Sequence, residues 1–227
     1  MWCASWSRSD VNTTFEMHGY REFIARLSDA EKRHMPFATA KALTQTGRQV
    51  GVAETGHIEA IFDKPTPFTK RAVGVTPATK ANLSTRIFVK DIQAKYLMQE
   101  ATGGRRGFKT FEEKFAEGGR PQIALPGAGM QLNQYGNMSK AKIMRIAKDL
   151  NSYESSKRFF KGTPKGHKLP AGIYARTNDN RHITPLIRFA TDAVYKKRFE
   201  FSAIAEQTIT ANFEANLITA WEAAIRG

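Results

Sequence analysis

The residues able to do chemistry are few and scattered. Five histidines stand at His18, His34, His57, His167 and His182. No two fall at i, i+4 around a glutamate, the spacing that puts two imidazoles and a general base on one helix face. Glu54 and His57 lie one helical turn apart, which suits a contact on a helix surface better than a metal site. The single cysteine, Cys3, excludes an intrachain disulfide framework and a cysteine-built zinc site. Its polar surroundings offer nothing to stabilise a thiolate. Three glycine-bearing runs remain: GGRRG from Gly103, LPGAGM from Leu125 and GTPKGHK from Gly162. None has the G-x-x-x-x-G-K-[ST] spacing that wraps amides around phosphates, or the three glycines of a dinucleotide turn, so they read as structural loops. The acidic residues form no D-x-D or D-E-x-K nuclease pattern. The expectation is a protein that is not an enzyme, with no catalytic residues, no metal and no cofactor.

What the sequence supplies instead is positive charge. Lys and Arg number 35 against 21 Asp and Glu, a formal +14 over 227 residues. The count is 7 basic against 7 acidic over 1–60, 12 against 6 over 61–120, 15 against 5 over 121–200 and 1 against 3 over 201–227. The field is therefore central, and it suits either a polyanion or an acidic protein surface. From Lys140 to Arg198 the basic residues interleave with aromatics, most of them at positions that a strand or helix would bury. No RNA-recognition, KH or paired-helix signature accompanies them, so sequence-specific reading of nucleic acid is not expected. A second run, Asp63 to Asp91, holds three prolines, six basic residues and no acid between its end aspartates.

The elements that would carry these residues follow from periodicity. Apolar content of 41% with 11% aromatics belongs to a folded chain. A short amphipathic helix is expected from Tyr20 to about Lys32, ended by Met35-Pro36. A longer one follows from Pro36 to Phe62. Gly47, Gly51 and Gly56 lie inside it, each costing roughly 1 kcal/mol against alanine. Such a helix is either bent and weak or packed closely on a sheet or another subunit. Pro65 and Pro67 block helix continuation, and RAVGV and LSTRIFVKD read as two antiparallel strands. Leu83, Thr85, Ile87 and Val89 share one face of the second. KYLMQEATGG adds a third strand or a loop. GFKTFEEKFAEGG reads as a short helix with Phe108, Phe111 and Phe115 on one side. Arg120–Asn137 reads as loop, and Ser139 as the cap of a basic helix burying Ile143, Ala147 and Leu150. Asn151–Lys168 reads as a polar, flexible segment. A hairpin turning at Asn178-Asp179-Asn180 precedes a C-terminal helix striped by Phe201, Ala205, Ile209, Phe213, Leu217, Trp221 and Ala224.

The fold class expected is α+β: a long N-terminal helix, a small antiparallel sheet, a C-terminal helix packed on the sheet, and a basic loop/helix insertion. Residues 1–19 read as a flexible arm and 20–227 as a single domain, with the insertion at about 104–170. The arm, bearing Trp2 and Trp6, is either a disordered start or a segment that orders by docking on a neighbouring subunit. It lacks the apolar core of a signal peptide. No stretch approaches 18 continuous apolar residues, so no membrane span is expected, and one free thiol fits a reducing compartment.

In wording and order, the runs PFATAKALTQTGRQV, FDKPTPFT, VTPATKANLSTRIFVKD, YGNMS, LPAGIYAR and YKKRFEF resemble the minor tail protein Z-like, or tail completion, proteins of tailed bacteriophages and prophages. The resemblance spans about Glu31 to Ile225, and its weight lies in the order of the motifs, none of which is catalytic. It implies a structural virion protein, a tail completion or head–tail connector subunit that forms a homo-oligomeric ring around the DNA channel. It would be made in the host cytoplasm and reside in the tail or neck. The expected partners are further copies of the chain and neighbouring tail or portal-proximal proteins, with non-specific contact to packaged DNA. Asp63–Asp91 would then be a proline-stiffened strand pair meeting a neighbouring subunit or the adjacent ring, with Phe68, Lys70, Arg71, Lys80, Arg86 and Lys90 as assembly contacts, the alternative being an ordinary solvated hairpin. Lys157, Arg158, Lys161, Lys165 and Lys168 would face DNA. The alternative is a stand-alone, non-sequence-specific nucleic-acid-binding module.

Overall fold

A computed structural model describes residues 12–16, 20–25, 28–113, 115, 122–151, 158–165, 168–177 and 182–226. The chain divides into two compact units, Met1–Gly103 with Lys196–Gly227, and Gly104–Tyr195. In chain order the first unit contributes β1 (Asn12–Glu16), α1 (Tyr20–Ala25), α2 (Asp29–Ile61), α3 (Pro67–Lys70), β2 (Val73–Thr76), β3 (Ser84–Val89) and α4 (Asp91–Thr102). The second contributes β4 (Gly104–Arg105), α5 (Thr110–Glu113), β5 (Ile123–Pro126), α6 (Lys140–Leu150), β6 (Phe159–Gly162), β7 (Gly172–Arg176), β8 (Ile183–Ala190) and β9 (Val194–Tyr195). The chain then returns to the first unit as α7 (Phe201–Arg226). The fold is α+β, with long N- and C-terminal helices against a small open antiparallel sheet.

In the first unit α2 and α7 run antiparallel along each other, and α2 also lies on β2 and β3. Small residues make the helix seam: Ala38 and Ala42 meet Ala220 and Ala224. The Asn216 amide donates to Thr46 Oγ1 at 2.8 Å and to Gln49 Oε1 at 2.7 Å, fixing the register. Pro36, expected to end a helix, instead sits in the second turn of α2. It removes one hydrogen bond near an end, while the flanking Met35, Ala38 and Thr39 are buried. Burial of those neighbours outweighs the local penalty, and the helix runs through.

The sheet has the order β1-β3-β2, all antiparallel. Thr85, Ile87 and Val89 of β3 face the helices. α2 meets this face through two of its glycines. A Cβ on Gly47 would stand 2.8 Å from Thr85 Cγ2, and one on Gly51 would stand 3.1 Å from Val75 Cγ2, while a Cβ on Gly56 would meet nothing within 4 Å. The first two glycines thus let helix and sheet approach closely. β1 corrects the reading of residues 1–19 as a flexible arm: Thr13 and Phe15 alternate into the core, and Phe15 meets Phe213 of α7 edge-on at 5.5 Å. Residues 1–11, with Trp2, Cys3 and Trp6, lie outside the described residues. In KYLMQEATGG, expected as a third strand or a loop, Lys95–Thr102 are the body of α4, whose Leu97 and Ala101 enter the same core. Arg198 ties α4 to the start of α7, donating from Nε to Glu100 Oε2 at 2.9 Å and from NH1 to the Ile61 carbonyl at 3.2 Å.

The second unit is built on an antiparallel sheet of order β5-β8-β7-β6, one face covered by α6. Its span, Gly104–Tyr195, extends past the expected insertion end near residue 170 because β7 and β8 pair with β6 and β5. Two segments read as loop hold strands. β5 lies within Arg120–Asn137, and β6 within Asn151–Lys168, each only four residues long and supported by cross-strand pairing. Ser139 caps α6 as expected, and Ile143 and Ala147 are buried. α5 is a single turn. Phe115 is buried, Phe108 is exposed, and the closing Gly118-Gly119 lie outside the described residues. Glycines 127 and 129 of LPGAGM press against β8, where a Cβ would stand 2.5 Å from the Pro185 oxygen and 2.2 Å from Thr184 Cγ2 respectively. The run is thus a packing loop.

One buried carboxylate staples this unit. Glu112 is fully buried and accepts from both terminal nitrogens of Arg106 at 2.6 and 2.8 Å, from Lys109 N at 2.7 Å and from Ala124 N at 2.9 Å. Burial alone would raise its pKa. The Arg106 hydrogen bonds and the two backbone donors outweigh that and hold it below the ordinary carboxylate value.

Candidate functional site

The proline-stiffened run forms a braced corner of the first unit. Thr66 caps α3 by accepting from Thr69 N at 3.1 Å, with Pro67 at the first helical position. Thr69 Oγ1 meets the Tyr96 hydroxyl at 3.0 Å, and Gln93 Nε2 donates to the Phe68 carbonyl at 3.2 Å, which pins α3 to α4. Phe68 and Ile92 stay 47% and 65% exposed on this helix pair.

The cations expected at an interface each have an intramolecular contact. Lys70 pairs with Glu59 at 2.9 Å, Arg71 Nε donates to the Pro67 carbonyl at 3.1 Å, and Lys90 Nζ donates to the Arg71 carbonyl at 2.8 Å. Lys80 lies 5.2 Å over the Phe37 ring. Arg86 donates to Asn12 Oδ1 at 3.1 Å and lies 5.3 Å over Phe88. Phe68, Lys70, Arg71 and Lys90 therefore gather around α3. Lys80 lies against α2, and Arg86 is on the outer face of the sheet. The fold does not bring all six together.

The second unit carries a groove of about 640 Å³ at one end of its sheet. Antiparallel pairing sets the start of β6 beside the end of β7, where Arg176 N donates to the Arg158 carbonyl at 2.9 Å. Arg158 and Arg176 both line the groove, and the first turn of α6 adds Lys142. Lys142 Nζ and the Arg158 guanidinium stand 5.9 and 5.8 Å from the Phe159 ring centroid, and Arg176 stands 4.4 Å from that of Phe160. Such cation–π contacts hold the cationic heads against the rings. The floor is Phe159, Ala175 and Leu186; Gln131, Thr177, His182 and Thr184 add polar atoms.

Of the residues expected to face DNA, Arg158 alone lines this groove. Lys161 lies 5.9 Å over Phe189, Lys165 and Lys168 are exposed elsewhere, and Lys157 is outside the described residues. Lys142 and Arg176 were not singled out by sequence. The pairing register of β6 with β7 sets Arg176 beside Arg158, and the packing of α6 on the sheet brings Lys142 near; no local pattern announces either.

Glu54 is not at a surface. It is 0% exposed, on the stripe between Val50 and Ile58, and neither carboxyl oxygen has a hydrogen-bond partner. Burial pushes its pKa up to about 9. His57 turns elsewhere, stacking 5.8 Å from Phe199 and donating from Nε2 to the Arg198 carbonyl at 3.0 Å. Among the described residues no three His, Cys, Asp or Glu side chains converge as a metal site, and no helix is long and apolar enough to cross a membrane. No protein-family model, no curated protein and no solved structure matches the chain.

Proposed function

We propose that this chain is a non-enzymatic structural subunit of a tailed-bacteriophage virion. Its role would be tail completion or head–tail connection, in a closed homo-oligomeric ring around the DNA channel. The observation that carries the reading is that three of the runs that resemble the tail completion proteins, PFATAKALTQTGRQV, FDKPTPFT and VTPATKANLSTRIFVKD, lie in one packed unit. α2, bearing PFATAKALTQTGRQV, lies by Gly47 and Gly51 on Val75 and Thr85 of the Val75–Asp91 run. The braced corner supports it further. A rigid segment loses little conformational entropy on assembly, and its α3–α4 corner exposes Phe68 and Ile92 and carries Lys70 and Arg71, with Lys90 donating to the Arg71 carbonyl. Cyclic rings use one surface patch against a different one on the next copy, so this corner would meet a second face of the neighbour.

The test is to delete the gene from the phage or prophage that carries it and image the lysate by electron microscopy. Full heads lying apart from tails, or tails of wrong length, are expected, and F68E/I92E is expected to fail in complementation while remaining folded. Intact, infectious virions from the deletion would overturn the reading.

A further inference from the structure

We propose that the segment ahead of β1 folds back on its own chain, seating Trp6, with Trp2 beyond it, on the corner where α3 and α4 expose Phe68, Ile92 and Tyr96. The contact belongs to the free chain and needs neither a ring nor a virion, so it stands or falls in a different assay from the preceding proposal. Tyr96 is 39% exposed and adds to the apolar surface of Phe68 and Ile92. It lies one turn from Ile92 on α4, and its hydroxyl meets Thr69, the residue after Phe68. The corner is also held in place, by the Thr66 cap of α3 and by the bond from Gln93 to the Phe68 carbonyl, so little order remains to be lost when a ligand covers it.

Strand register picks the occupant. β1 pairs antiparallel with β3, Asn12 opposite Phe88, so the chain ahead of Asn12 leaves the sheet at the end where β3 runs on into α4. α3 joins the sheet at that same end, since Lys90 N donates to the carbonyl of Ala72, just past α3. Ile92 follows Phe88 by four residues, at most about 14 Å of chain, and paired strands stand about 5 Å apart. Trp6 precedes Asn12 by six residues, a reach of about 20 Å that matches this gap, and Trp2 reaches about 35 Å. Spaced by four, the two indoles fall on one side of an extended or a helical segment alike. Their large apolar rings are what MWCASWSRSDV gains most by taking out of water. The competing occupant is the same segment of a second copy. That copy binds at the protein's own concentration, whereas a tether of five residues supplies Trp6 in cis at an effective concentration on the order of millimolar. In an assembly that uses this corner, a neighbour must displace the segment, which holds the free chain back from premature association.

The sole cysteine, Cys3, stands between the two tryptophans, so a nitroxide attached there reports by NMR where the segment lies. In the full isotope-labelled chain, paramagnetic broadening is expected at the amides of α3 and of the first turns of α4, and reducing the nitroxide is expected to restore them. Mixing nitroxide-bearing unlabelled chains with isotope-labelled chains that lack the nitroxide is expected to broaden none of these amides. Trp221→Phe leaves Trp2 and Trp6 as the only tryptophans. In that background the emission maximum is expected to lie to the blue of free tryptophan and to move to the free value in F68E/I92E. Ile218→Glu, at an equally exposed apolar position of α7, is expected to leave it in place. Circular dichroism separates lost docking from lost folding, and the broadening experiment needs no substitution. The proposal is overturned by corner amides that stay sharp, or by an emission maximum indifferent to F68E/I92E in a folded chain. Broadening in the mixed sample would also overturn it, giving the corner to the segment of a second copy.

Discussion

Glu54 puts a carboxyl group where Val50 and Ile58 would be followed by another aliphatic side chain. With no partner for either oxygen, the neutral form is the one the core tolerates. The sign of its pH effect follows. The unfolded chain ionises Glu54 near 4.5, while the folded chain holds the proton to about 9. Stability is therefore full below 4.5 and falls by about 1.4 kcal/mol per pH unit between the two values. Replacing the group by an apolar side chain of similar length removes both the proton linkage and the buried polar atoms. Glu54→Met is expected to raise stability at pH 7.5 by a few kcal/mol and to flatten its pH dependence, measured by urea denaturation at pH 5, 6.5 and 8. An unchanged slope in the variant would show that Glu54 is not the titrating group. Nothing local in the sequence gives this away, because Thr55, Gly56 and His57 make the segment look like a solvated turn of helix. The carboxyl is enclosed only by residues distant in the chain.

The helices and strands differ in how far they were legible. α2, α6 and α7 follow from long apolar stripes with a cap or stop, and β2, β3, β7 and β8 from alternation. α4 was missed because its buried positions include Gln93 and Glu100, which break an apolar pattern. β1, β5 and β6 were missed because four or five residues hold too little periodicity to stand out, and each is a strand by virtue of its partner. The three glycines of α2 left open whether the helix was weak or closely packed, and the structure separates them individually. Gly56 is exposed with space around it, so Gly56→Ala is expected to stabilise by roughly 0.5–1 kcal/mol through backbone entropy. Gly47→Ala gains the same helix propensity but drives a methyl group against Thr85 Cγ2 at 2.8 Å and Val75 Cγ1 at 3.2 Å. Overpacking of this kind costs about 1–3 kcal/mol, so a net loss is expected. Paired denaturation midpoints decide it; stabilisation in both variants would mean that sheet and helix part easily.

At the scale of the whole chain, the two units carry opposite electrostatic devices. Their hydrophobic clusters share no residue among those described, one centred on Leu43, Val50 and Ile87 and the other on Ile146, Ile173 and Ile187. In the first unit the raised pKa of Glu54 makes acidification favourable. In the second, Glu112 has its pKa lowered, so its contribution is present above the ordinary carboxylate value and is lost as pH falls through its folded pKa. Lowering the pH from 8 to 5 is therefore expected to stabilise the first unit while the Glu112 contribution to the second stays intact, that contribution being lost only below the ordinary carboxylate value. Scanning calorimetry should resolve two transitions, since separate cores of this size melt as separate cooperative units. Glu54→Met is expected to raise one of them at pH 8. Glu112→Ala leaves Arg106 buried without its counter-charge and is expected to lower the other by about 3–5 kcal/mol. A single transition shifted by both substitutions would make the chain one cooperative body.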